Sequence, residues 1–195
     1  MELSGNLMGA GVYILFAAAA LFDIMNRGRL SSAVMLALVT VFAFFFIIRR
    51  APREVNPRLY DWVIGLAGTF APLLLRPAPE MHEMPVLQGL QLAGMLLSIY
   101  GIASLNRSIG LVAAHRGVQA TGAYKYLRHP IYAGYFLSFT AFWAQNFTLA
   151  NTAALAFWMA LEFMRIFAEE KVLSQDPAYA EYTRKVRWRM LPYVF

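Results

Sequence analysis

Apolar residues gather along the chain into long blocks separated by short polar interruptions. The first runs from about Asn6 to Met25 and stops at Asn26-Arg27-Gly28-Arg29, and the second, from about Leu30 to Ile48, stops at Arg49-Arg50. A third lies between Tyr60 and Leu75, closed by Arg76-Pro77-Ala78-Pro79, and a fourth covers about Pro85 to Leu105. After a polar stretch the apolar pattern resumes at Ile131, breaks near Gln145-Asn146 and Asn151, and continues to Phe167. A helix of about 20 apolar residues crosses roughly 30 Å of hydrocarbon. The pattern therefore predicts an all-α fold, a polytopic transmembrane helix bundle of about six spans. The third and fifth blocks are short and can tilt or span partially, which leaves five as the alternative.

Composition agrees with a membrane solvent. Of 195 residues, 59% are hydrophobic and only 14% charged, and the mean hydropathy is +0.51. A soluble domain carries about a quarter charged residues, so one water-soluble core is excluded. The chain has no Cys, which removes disulfides, thiolate metal sites and cysteine nucleophiles from consideration. His82 and Glu83 lack a further ligand at suitable spacing, so no metal site is expected there.

Charge then orients the bundle. Arg49, Arg50, Arg53, Arg58, Arg107, Arg116, Lys125, Arg128, Lys171, Arg184, Lys185, Arg187 and Arg189 collect on one side of a six-span arrangement, against Arg27, Arg29 and Arg76 on the other. The positive-inside rule places the richer side, with both termini, in the cytoplasm. The basic balance is thus explained by topology, and no nucleic-acid partner is expected. Lipid is the expected surrounding. No linker or internal repeat divides the chain, so 1–195 reads as a single integral membrane domain, with transmembrane helices in 1–104 and the polar chemistry in 105–195. Gly5, Gly9, Gly65 and Gly68 are spaced for close helix approach.

Polar residues are costly in a membrane, so their placement is informative. They concentrate in two cytoplasmic segments. The first is Gly122-Ala123-Tyr124-Lys125-Tyr126-Leu127-Arg128-His129-Pro130-Ile131-Tyr132. Pro130 suits the first turn of a helix, which puts Arg128 and His129 at the positive end of the helix dipole, where an anion can be held. An interfacial anchor of Tyr, Lys and Arg has the same composition. The second segment ends the last block: Glu162, Arg165 and Glu169 share a helical face, with Trp158 one turn earlier and Glu170 next in sequence. They pair structurally, or face a polar cavity. His115 precedes the first segment closely enough to line the same pocket.

Together, Gly122, Tyr124, Arg128-His129-Pro130, Tyr132 and Gly134, then Glu169-Glu170, then Tyr179, Tyr182 and Leu191-Pro192 resemble the isoprenylcysteine carboxyl methyltransferase and phospholipid methyltransferase superfamily. The pattern covers the chain from about Ser104 onward. The resemblance implies S-adenosylmethionine as methyl donor, bound in a cytoplasm-facing pocket formed by the C-terminal half. It implies that Tyr124, His129 and Tyr132 line the cofactor and that Glu169 or Glu170 meets its ribose or amino group, with His115, Gln119, Gly122, Arg128 and Pro130 completing the pocket. Arg128, Arg165 and Glu169 are the expected catalytic residues.

The expected reaction is an in-line methyl transfer, which rests on alignment and a dry site. Arg128 or Arg165 can orient a carboxylate acceptor, whereas an amine requires a nearby Glu or Tyr to take a proton. The expected acceptor is amphiphilic or lipidated and enters from the bilayer. Arg-His-Pro alone also permits a membrane reductase using a nicotinamide cofactor, and a non-catalytic membrane protein that kept the fold is the third reading. The first hairpin is read as structural or as an oligomerisation face.

Overall fold

The computed structural model describes residues 58–76, 78, 84–105 and 118–195, the two-residue strands at 54–55 and 114–115, and scattered positions between 11 and 48. The first two expected spans lie mostly outside the described residues, although the positions described between 11 and 26 and between 36 and 48 are helical. His82 and Glu83 also lie outside them.

The helices are α1 (Leu59–Phe70), α2 (Pro85–Leu105), α3 (Pro130–Gln145), α4 (Leu149–Leu173) and α5 (Pro177–Lys185). Pro85, Pro130 and Pro177 each occupy a first helical position, where a missing N–H costs nothing and φ is already helical. Thr148 caps α4 by accepting from the Asn151 amide at 3.0 Å, and Asp176 caps α5 by accepting from the Ala178 amide at 2.9 Å. Pro72 falls in a tighter 3-10 turn, Ala71–Leu74, that ends the α1 rod. Among the described residues the fold is helical apart from one short bridge: β1 (Glu54–Val55) pairs antiparallel with β2 (Ala114–His115), Glu54 opposite His115.

Among the described residues one helix, α2, is long and apolar enough to cross a membrane, and Leu59–Leu74 forms a shorter apolar helix. The other two long elements fall short for separate reasons. Helix α3 has 16 residues, and α4, with 25, contains buried Asn151, Glu162 and Arg165, which lower its hydropathy.

Helices α2 and α3 meet almost backbone to backbone. A Cβ on Gly94 would stand 2.5 Å from the Gly134 carbonyl oxygen, and one on Gly134 would strike Ser98 and the Gly94 carbonyl. Ser98 donates its hydroxyl to the carbonyls of Gly94 and Ile131, each at 3.1 Å, and Ser138 donates to that of Gln91 at 2.8 Å. Small residues let backbones approach, and their hydroxyls stay satisfied without water. Phe136 and Phe139 pack their rings against the fully buried Trp158, joining α3 to α4. Helix α1 packs on α4 through the face carrying Asp61, Ile64, Gly65 and Gly68.

The two ends of the bundle differ in chemistry. At one end Asn151 accepts from the Arg76 amide at 3.1 Å and donates to the Arg76 carbonyl at 2.8 Å. Asn146 accepts from the Ala78 amide at 2.9 Å. The other end holds the 122–129 connection and the 186–195 tail.

Candidate active site

The site begins with a turn that requires glycine. Gly122 has φ +60°, and a Cβ there would collide with Ser104 at the end of α2. Ser104 Oγ accepts from the Ala123 amide at 3.1 Å, which fixes the 3-10 turn Gly122–Lys125 against α2. The chain then enters α3 through Arg128 and His129, whose amides donate to the carbonyls of Trp188 and Arg189 at 2.9 and 2.8 Å. The tail therefore runs beside the entry to α3.

Arg128 ties three partners together. Its Nε donates to the Val186 carbonyl at 3.0 Å, Nη2 to the Arg187 carbonyl at 2.6 Å and Nη1 to Glu170 Oε1 at 2.9 Å. Arg189 Nε reaches Glu170 Oε2, also at 2.9 Å. His129, buried at the N-terminus of α3, stands between the paired glutamates: Nε2 lies 3.3 Å from Glu170 Oε1 and Nδ1 lies 3.8 Å from Glu169 Oε2. Burial alone would raise the Glu170 carboxyl, but the hydrogen bond and charge of His129, the Arg189 hydrogen bond and the Arg128 charge outweigh it and hold the value at about 2.

Glu169 faces a second group. It accepts a short hydrogen bond from the Tyr132 hydroxyl and lies 3.6 Å from Arg165 Nε. Arg165 Nη1 is 3.6 Å from Glu162 Oε1, and the guanidinium carbon is 5.4 Å from the Tyr132 ring centre. The consecutive residues Glu169 and Glu170 thus face two electrostatic groups: Glu170 with two arginines and His129, and Glu169 with Glu162, Arg165 and Tyr132.

Tyrosines close the site on the tail side. Tyr182 donates its hydroxyl to the Tyr124 carbonyl at 2.8 Å, and burial, partly countered by Arg128, pushes its pKa up to about 12. Burial first, then the Glu169 charge, holds the Tyr124 phenol well above its ordinary value. The Tyr179 hydroxyl is buried beside the Arg128 side chain, without a well-formed hydrogen bond. These phenols stay neutral at physiological pH.

Arg128, His129, Tyr132, Arg165, Glu169 and Glu170 therefore lie together, with Pro130 buried as the first residue of α3 and Tyr124 buried beside them. His115 is placed as a strand residue in β2. Gln119 is half-buried beside Val118, which packs against Tyr179 and Tyr182. Two participants, and one buried acid outside the cluster, are not singled out by the pattern of the residues themselves. Arg189 belongs to a basic run that reads as topology, and Tyr179 appears there only as part of the resemblance. Asp61, at the start of an apolar block, is 4% exposed. Its signal was its spacing from Gly65 and Gly68, which puts an acid on a small-residue packing face.

The described residues form a helical structure with a buried charge cluster at one end, where the start of α3 meets α4. Residues 88–175 match the model of the isoprenylcysteine carboxyl methyltransferase family, which supports the superfamily that the sequence resembles. The matched segment contains Gly122, Arg128-His129-Pro130, Tyr132 and both glutamates, and stops short of α5 and the tail. The match implies a methyltransferase associated with membranes. No curated protein matches the chain significantly.

Proposed function

We propose that the protein is an integral membrane methyltransferase that uses S-adenosylmethionine to methylate an amphiphilic acceptor. The observation that carries this reading is the meeting of His129 and Tyr132, from α3, with Glu169 and Glu170, from α4, inside the segment that matches the family. The residues fit the cofactor's chemistry. Its ammonium and ribose call for a carboxylate, which Glu169 supplies, and its carboxylate calls for donors, which His129 and the start of α3 supply.

When bound, the cofactor supplies an electrophilic methyl on a sulfonium. The protein's part is to bind, orient and exclude water. Glu170 and the tail hold His129 in place, and the contacts of Arg128 make it a positioning residue that acts through them. Arg165 stands on the acceptor side, and Glu169, between Arg165 and His129, borders both. The surrounding surface supports entry from a bilayer: Leu59, Val63, Leu73, Val86, Leu96 and Phe157 are each more than half exposed, a surface that suits lipid and not water. In this reading the bundle crosses the membrane about six times, with both termini and the site on the cytoplasmic side, as the Lys and Arg distribution favours.

Membranes containing the protein, incubated with methyl-labelled S-adenosylmethionine, test the reading. Label should enter a solvent-extractable product and fall to background in His129→Ala. Equal label with wild type and His129→Ala, or label in neither, would overturn it.

A further inference from the structure

We propose that the seam between α1 and α4, bordered by Asp61, Glu162 and Glu169, receives the acceptor and selects a cationic nitrogen, an amine headgroup on an amphiphile, over a carboxylate. This proposal rests on the methyltransferase reading and names the substrate class of the same site.

The seam carries two buried carboxylates with open acceptor capacity. Asp61 is 4% exposed and Glu162 1%; Asp61 Oδ2 has no hydrogen-bond partner, and Glu162, which the Trp158 side chain approaches as a donor, keeps Oε2 without a well-formed hydrogen bond. The helix register brings Asp61 to the site. A Cβ on Gly68 would come within 2.9 Å of Glu162 Oε1, while Arg76, further along the chain, is held by Asn151 near the start of α4. The two helices therefore run antiparallel. Asp61 lies seven residues before Gly68, and Glu169 seven after Glu162, so at about 1.5 Å per residue Asp61 reaches the level of Glu169. It does so on the face of α1 that packs against α4.

Charge then decides the ligand. Arg165 already stands between Glu162 and Glu169, 3.6 Å from each. Two carboxylates, Glu162 and Glu169, flank this one guanidinium, and Asp61 adds a third acid at the level of Glu169 on the facing helix, whereas Glu170 alone is held by Arg128, Arg189 and His129. An anionic acceptor would add like charge in a low-dielectric seam, which is repulsive. An ammonium would supply N–H donors to oxygens that lack them, removing a desolvation cost the protein otherwise carries. A buried acid without a donor is tolerated in a membrane helix where it serves a ligand.

The chemistry balances. The acceptor ammonium gives one proton to the Asp61 carboxylate, which exposes the nitrogen lone pair. That pair forms the N–C bond as the C–S bond breaks, the sulfonium becomes a neutral thioether, and the positive charge passes to nitrogen. The Asp61 proton is then released to water.

The test uses the full chain in phosphatidylcholine nanodiscs, with dodecylamine and N-acetyl-S-dodecylcysteine as probes. With labelled S-adenosylmethionine, dodecylamine should be methylated with kcat/KM at least tenfold above the carboxylate probe. Protein saturated with S-adenosylhomocysteine should bind dodecylamine, and Asp61→Asn should weaken that binding at least tenfold without lowering Tm or changing S-adenosylhomocysteine affinity. Gly68→Ala, which crowds Glu162, should weaken it independently. If S-adenosylhomocysteine binds but the carboxylate is the better substrate, or neither probe is methylated, or Asp61→Asn binds the amine normally, the amine assignment is overturned and the methyltransferase reading stands. Failure to bind S-adenosylhomocysteine at all overturns both.

Discussion

Arg189 donates its Nε to Glu170 Oε2 at 2.9 Å, on the oxygen opposite the one that Arg128 holds. The glutamate thereby fastens the tail and the entry to α3 onto the end of α4. Removing one partner from a buried charge cluster leaves the others uncompensated, at a cost of about 3–5 kcal/mol. Glu170→Ala should lower thermal stability by that order and open the 186–190 segment to protease. A melt in detergent and a tryptic digest check both; a protected tail in the variant would show that other contacts hold it.

The same glutamate makes stability depend on acid. Its folded pKa, about 2, lies below the ordinary 4.5, so its contribution is fully present above pH 4.5 and disappears as pH falls through about 2. The difference corresponds to about 3 kcal/mol. Melts between pH 6 and 2.5 should show this loss in wild type and a flatter profile in Glu170→Gln. Parallel profiles would assign the acid sensitivity to other groups.

Gly134 faces the Gly94 carbonyl and Ser98 too closely for any side chain. Backbone cannot yield as a side-chain tip can, so Gly134→Ala should cost about 1–3 kcal/mol by overpacking. Gly89, with open space around it, is the control: Gly89→Ala should be neutral or slightly stabilising in the same melt.

Arg165 stands between Glu162 and Glu169, next to the Tyr132 ring. Lysine keeps the charge and loses the planar fork that reaches two carboxylates at once. Arg165→Lys should lower turnover about tenfold or more while S-adenosylhomocysteine affinity stays within about twofold. Wild-type turnover would make Arg165 a structural partner only; lost cofactor affinity would place the cofactor deeper along α4.

Hydropathy made the helices legible where apolar blocks end at Pro or Asn. The fourth block coincides with α2 at Pro85–Leu105, and the break at Gln145-Asn146 coincides with the turn before α4. The last apolar block ends at Phe167, whereas α4 continues to Leu173, because Glu169, Glu170 and Lys171 are good helix formers whose charges end the apolar pattern. Spacing along one helix foretold Glu162, Arg165 and Glu169. The clamp by Arg189 depends on the tail folding back beside Arg128, a non-local pairing that no period encodes. The β1–β2 bridge is of the same kind, since two residues per strand leave no alternation to read.

Calorimetric titration of the purified protein with S-adenosylhomocysteine tests the central claim most directly. Saturable binding is expected, weakened by about 1–3 kcal/mol in Glu169→Ala and in His129→Ala, the scale of one hydrogen bond to a charged group. Folded protein that binds a reduced nicotinamide nucleotide in place of S-adenosylhomocysteine, or binds neither, would contradict the account.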